Sequence, residues 1–157
     1  LEGNVDLADI TRAVSEHYYD VLWFATGASG DRIHLSKMTI GYDEIRRTIA
    51  SSGARLLFLS ACDTQTLPNR LRSANIHILA GISDIEDHVA SSVGMQFAAA
   101  LYRLRSIRKA YFSLSSGKDW LYLSPNGALE DERWYWLAGG VGLAVAFFVG
   151  MMAFGAF

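Results

Sequence analysis

Three runs in this chain are apolar with little or no alternation: Val21-Leu22-Trp23-Phe24-Ala25, Leu56-Leu57-Phe58-Leu59-Ser60 and Ile76-His77-Ile78-Leu79. A strand with one face in water alternates polar and apolar residues. Runs like these must be covered on both faces, as parallel strands are when helices cross over between them. Helical spacing fills the intervals. Leu7, Ile10, Val14 and His17 share one face, with Asp6 placed as an N-cap. Tyr42, Ile45 and Ile49 mark a second helix that stops at Ser52-Gly53, and Pro68 to Ser73 a short third. A long helix is expected from about Ile85 to Leu104, with Val89, Val93, Phe97, Leu101 and Leu104 as its apolar stripe. Arg32 to Ser36 and Met38 to Ile40 read as short extended pieces of a hairpin. Tyr111 to Leu114 and Trp120 to Leu123 read as strands around a Ser115-Ser116-Gly117 turn. The expected fold is α/β, a mainly parallel sheet flanked by helices on both faces.

The C-terminal end belongs to a different solvent. Trp134 to Phe157 carries no charge, and Leu137 to Phe157 is apolar throughout. Roughly 20 helical residues span a bilayer's hydrocarbon core. Trp134, Tyr135 and Trp136 suit the headgroup region, and Asp131, Glu132 and Arg133 the water beside it. The competing reading is a helix buried in a soluble domain, but a domain this small cannot cover a helix that is apolar all round. The sequence thus divides into an α/β domain over 1–130, a juxtamembrane boundary at 131–136 and one C-terminal transmembrane helix at 137–157. Ala138, Gly142, Ala146 and Gly150 recur every four residues and allow close helix–helix approach. Expected partners are the lipid bilayer and either further copies of the chain or a partner protein. The expected location is single-pass in a membrane, with the domain on the cytoplasmic side.

A net charge of −2 gives no reason to expect a nucleic-acid partner. The basic cluster Arg103, Arg105, Arg108 and Lys109 is local. It reads as a solvated helix end favoured by the helix dipole or, alternatively, as a contact for phosphate or a lipid headgroup. One cysteine excludes an internal disulfide and a multi-cysteine metal site, and fits a reducing compartment. No two of the four histidines have metal-ligand spacing, so neither metal nor cofactor is expected.

That cysteine, Cys62, lies just past the strand Leu56 to Ser60, at the sheet edge where open α/β proteins hold their chemistry. A thiol needs a base or cation beside it to act as a nucleophile at neutral pH. Asp63 works against this, because a neighbouring negative charge disfavours the thiolate. The alternative for Cys62 is a small buried hydrophobe. The first strand delivers only Thr26-Gly27-Ala28-Ser29-Gly30 to the same edge. This small-residue loop matches no dinucleotide or Walker fingerprint, and reads either as a tight turn or as a backbone cradle for an anion. Thr26, Gly27, Ser29, Cys62, Asp63 and Thr64 are the candidate lining of a ligand pocket.

Trp23-Phe24-Ala25-Thr26-Gly27-Ala28 resembles the His-Phe-Ala-Thr-His-Gly stretch of caspase-like CHAT domains, and Leu59-Ser60-Ala61-Cys62-Asp63-Thr64 their Leu-Ser-Ala-Cys-Glu-Thr stretch. Ala80-Gly81-Ile82, Asp87-His88, Phe97, Tyr102 and Leu104 resemble the later strand and long helix, and Trp120 to Leu123 the closing strand. The similarity covers about residues 20 to 125. It implies a caspase-hemoglobinase fold and a Cys–His peptidase dyad. Cys62 falls on the nucleophile, but Gly27 falls on the histidine and Ala28 replaces the neighbouring glycine. His34 is the candidate substitute base; its alternation with Ile33 and Leu35 turns it toward solvent. His17 sits at a helix end, His77 inside a strand and His88 among acidic residues at a helix start. Three functions follow as expectations. The first is a catalytically inactive, membrane-anchored sensor, scaffold or effector, suited to bacterial stress or defence signalling and clustering through its membrane helix. The second is a receptor for a small nucleotide messenger in the vacated dyad pocket. The third is a cysteine peptidase with a non-standard base.

Overall fold

The computed structural model describes residues 5–60, 66–114, 119–125 and 145–149. Helix α1 (Leu7–Glu16) starts at Asp6, whose carboxylate accepts from the Asp9 N–H at 3.0 Å, while the Asp9 carboxylate accepts from the Asp6 N–H at 3.2 Å. This reciprocal cap satisfies two donors that the first turn cannot pair internally. Strand β1 (Val21–Ala25) follows, then the short strands β2 (Ala28–Ser29), β3 (Arg32–His34) and β4 (Thr39–Ile40). Helix α2 (Tyr42–Ser52) ends on Gly53, which takes the left-handed conformation at φ 68°. Strand β5 (Leu56–Ser60), helix α3 (Thr66–Leu71), strand β6 (His77–Gly81), helices α4 (Asp87–Leu104) and α5 (Ile107–Phe112), and strands β7 (Trp120–Leu123) and β8 (Val145–Val149) complete the order.

The main sheet has the order β7-β6-β5-β1-β8, and β2, β3 and β4 form a small second sheet. Strands β8, β1, β5 and β6 are parallel and β7 is antiparallel, so the sheet is mixed. Helices cover both faces. Leu22, Phe24, Leu57, Leu59, Ile78 and Ala80 pack with Ile10, Val14, Ile45 and Ile49 of α1 and α2. Trp23, Phe58 and Leu79 point the other way, into Val93, Phe97 and Leu101 of α4 and Ile107 and Ala110 of α5. Successive residues of a strand face opposite sides, and here both sides are dry, which is why the strand sequences do not alternate. On the α4 face the Trp23 and Phe58 rings stack at 4.9 Å, with Phe97 5.6 Å and Trp120 5.4 Å from Phe58. Gly94 lets α4 close on this stack: a Cβ built there would lie 2.1 Å from the Trp23 ring.

Two segments differ from the sequence expectation. Tyr111 to Leu114 was expected as a strand, but residues up to Phe112 belong to α5. Arg105 ends α4 in the left-handed conformation, and Ser106 restarts a helix by accepting from the Lys109 N–H. Ile107, Ala110 and Leu114 then recur at helical spacing on the buried side. The second difference lies at the C-terminus. Val145–Val149 was expected within a membrane helix and is instead a strand, paired in register with β1 from Val21↔Val145 to Ala25↔Val149. Its residues are β-branched and aromatic apart from Ala146, and pairing satisfies the backbone groups along the outer edge of β1. Ala146 is therefore opposite Leu22 on a strand rather than on a helical stripe. Ala138, Gly142, Gly150 and the rest of 131–157 lie outside the described residues. Among the described residues, no helix is long and apolar enough to cross a membrane.

Candidate functional site at the C-terminal sheet edge

Parallel pairing brings the ends of β1 and β5 together, with Ala25 opposite Ser60. Beyond Ala25 the chain folds back as a small hairpin. Ala28 pairs with Ile33 and Ser29 with Arg32 around Gly30, whose φ of 60° suits a residue without a Cβ. Ile33 pairs with Ile40, and both are fully buried, which fixes the small sheet to the α1–α2 core. The stretch 26–30 is thus one arm of a hairpin, not an open loop, and part of its backbone polar groups are already paired.

The hairpin carries His34 back onto Gly27. The His34 N–H donates to the Gly27 carbonyl at 2.9 Å, and the Thr26 hydroxyl donates to the His34 carbonyl. A Cβ built on Gly27 would lie 3.8 Å from His34 Cδ2, in ordinary contact. Among the described residues nothing crowds Gly27, and it is not in the left-handed region, so its backbone could carry a side chain. The His34 ring is held at both nitrogens: Nε2 is 3.0 Å from the Ser29 hydroxyl and Nδ1 is 3.1 Å from the Thr39 hydroxyl. One hydroxyl can donate to the ring while the other accepts from it, which satisfies a neutral imidazole.

Thr26, Gly27, Ser29 and His34 thus lie together on the hairpin. His34 does turn to the exposed side, with Ile33 buried beneath it. Cys62, Asp63 and Thr64 lie outside the described residues. Ser60, the last described residue before them, is buried, and its hydroxyl has no hydrogen-bond partner among the described residues.

The other histidines are elsewhere. His17 caps the end of α1. His77 begins β6, at the opposite edge, buried and bonded to the Tyr122 hydroxyl at 2.8 Å. His88 is exposed beside Glu86 at 3.2 Å. Among the described residues no group of three His, Cys, Asp or Glu side chains could hold a metal ion.

A neighbouring feature was not read from the sequence. A cleft of about 400 Å³ opens beside Thr39, lined by Asp31, Arg32, Met38, Tyr42 and Arg70 among others. The Arg70 guanidinium lies 4.4 Å over the Tyr42 ring and pairs with Asp31. Asp31 and Arg70 come from segments far apart in sequence, and no local pattern announces their meeting. A scan against protein-family models matches none, and a search of curated proteins matches none.

Proposed function

We propose that this chain is a membrane-anchored, caspase-like domain of the CHAT type that binds rather than cleaves, acting as a sensor, scaffold or effector in bacterial stress or defence signalling. The observation that carries the reading is the pairing of Gly27 with His34. Where the resemblance expects the general base there is no side chain, and the nearest imidazole is held by two hydroxyls. The Asp63 carboxylate, next to Cys62 in sequence, opposes ionisation of the thiol.

The apolar 137–157 stretch gives the anchor. A membrane helix satisfies its backbone within itself, whereas β8 satisfies its backbone against β1. Val145–Val149 can do one or the other, so insertion would free the outer edge of β1. A binding event at the C-terminal end of β1 reaches the membrane segment only through its affinity difference between these two states.

One observation favours a second reading, a cysteine peptidase with His34 as base: the ring already stands against Gly27. For this, His34 must release Ser29 or Thr39 to meet a thiol. Activity-directed labelling separates the two. A thiol-reactive peptidyl ketone panel should leave Cys62 unmodified at pH 7, and the chain should resist alkaline carbonate extraction from membranes. Labelling of Cys62 that disappears in His34→Ala would favour the peptidase.

A further inference from the structure

Between Asp87 and Asp119 the chain carries Arg103, Arg105, Arg108, Lys109 and Lys118 and not one carboxylate, although it is net acidic as a whole. The structure gathers the first four at the corner between α4 and α5. All four are exposed, together with Tyr102 and Phe112, which are 66% and 69% exposed. The aromatic rings are interleaved with the charges: the Arg105 guanidinium lies 4.6 Å from the Tyr102 ring centre, and that of Arg108 lies 5.7 Å from the Phe112 ring centre. The buried side of the corner, Leu101, Ile107 and Ala110, fixes it to the sheet.

The corner's position adds an independent argument. Helix α4 starts beyond the C-terminal end of β6 and passes the mid-strand residues Trp23 and Phe58 at Gly94 and Phe97. Its last turn therefore lies toward the N-terminal edge of the parallel strands. Strand β7 runs antiparallel, from Trp120 opposite Gly81 to Leu123 opposite Ile78, and ends at that same edge. Tyr18, 88% exposed, precedes β1 there too. The chain thus leaves β7 at the edge that carries the basic corner, and Val145–Val149 runs along β1 toward the Gly27–His34 edge, with Val149 opposite Ala25.

We infer that the α4–α5 corner is a docking surface for an anionic lipid bilayer. Guanidinium and ammonium groups meet the lipid phosphates while Tyr102 and Phe112 enter the interfacial region, as amphipathic rings do. Each basic residue at an anionic surface contributes about a fivefold preference at physiological salt. The exposed rings favour a lipid surface over a nucleic acid held through phosphate contacts alone. The inference rests on the anchored reading for its geometry but not for its chemistry. Docking would hold the domain with the His34 edge turned to the aqueous side.

The full chain reconstituted in phosphatidylcholine vesicles, with or without phosphatidylglycerol, gives the test by hydroxyl-radical footprinting. Oxidation of Tyr102 and Phe112 should fall severalfold in the anionic vesicles and return at high salt, while Met38, at the opposite edge, stays equally reactive. Arg105→Glu with Arg108→Glu should abolish that difference. Equal oxidation in the two vesicle types, or protection that needs added RNA or another protein, overturns the inference. Carbonate extraction of the same samples reads the anchor separately. Extraction with the footprint intact before washing rejects the anchor and keeps the docking surface. Resistance without a footprint does the reverse.

Discussion

The His34 ring lies against the Cα of Gly27, with Cδ2 3.8 Å from where a Cβ would stand, and the two residues share a backbone hydrogen bond of 2.9 Å. Neither backbone angle nor crowding requires glycine at this position. The backbone there accepts a Cβ among the described residues, and the site can be probed by adding to it.

Gly27→His should be accepted with a change in stability within about 0.5 kcal/mol, the usual range of surface substitutions away from special features. If the proposed site is a vacated dyad, the new imidazole should speed alkylation of Cys62. A fall of one unit in the thiol pKa gives about tenfold more thiolate at pH 7. Alkylation timed by mass spectrometry checks this. No change in rate in a folded Gly27→His variant would separate position 27 from the cysteine.

Gly94→Ala tests the α4 face. The new Cβ would meet the Trp23 ring at 2.1 Å, and the ring is stacked on Phe58. Either α4 or the indole must move. Overpacking of this kind costs about 1–3 kcal/mol, to be read from urea unfolding. Tm and denaturation midpoint equal to wild type would mean that α4 does not press on Trp23.

Acid should loosen α1 and α2 at their starts. The Asp9 backbone N–H holds the Asp6 carboxyl below its ordinary value of 3.8. For Glu44, its own backbone N–H and that of Gly41 lower the carboxyl below 4.5. Because the folded values are depressed, this contribution is complete above the ordinary values and is lost as pH falls through the lower, folded ones. Chemical shifts of the Asp9 and Gly41 amides should titrate below those ordinary values. Asp6→Asn and Glu44→Gln should remove the two steps. Titration at the ordinary values would contradict the caps.

Strand β8 and a membrane helix make opposite demands on Val145–Val149. Amide exchange at the alternate residues of Leu22 to Ala25 whose N–H groups face β8 should therefore quicken when the chain is inserted in vesicles, because β1 loses its outer partner. Protection unchanged by insertion would mean that another segment occupies the edge, or that the strand is kept.

The core was legible because its signals are local. Unbroken apolar runs marked β1, β5 and β6, and Asp6 and Gly53 announced a helix start and stop. Tyr111 to Leu114 misled because aromatic and apolar residues there suit a strand as well as a helix. What decided it was Ser106 as a cap after Arg105 had broken α4. Val145–Val149 carries two signals: a long uncharged stretch fits a membrane helix, whereas its β-branched and aromatic residues also fit a vacant sheet edge. At the site, alternation correctly turned His34 outward. Its return onto Gly27 depends on the Gly30 turn and on the Ile33–Ile40 anchor, which are tertiary features. The Asp31–Arg70 pair was illegible for the same reason.

The pH dependence of Cys62 alkylation, in the wild-type chain and in His34→Ala, bears most directly on the claim of an inactive dyad. The single cysteine makes the signal unambiguous. An apparent pKa at or above the free-thiol value of about 8.5, the same in both proteins, is the expected result. A pKa well below that value in the wild type, rising when His34 is removed, would contradict it and make His34 and Cys62 a working pair.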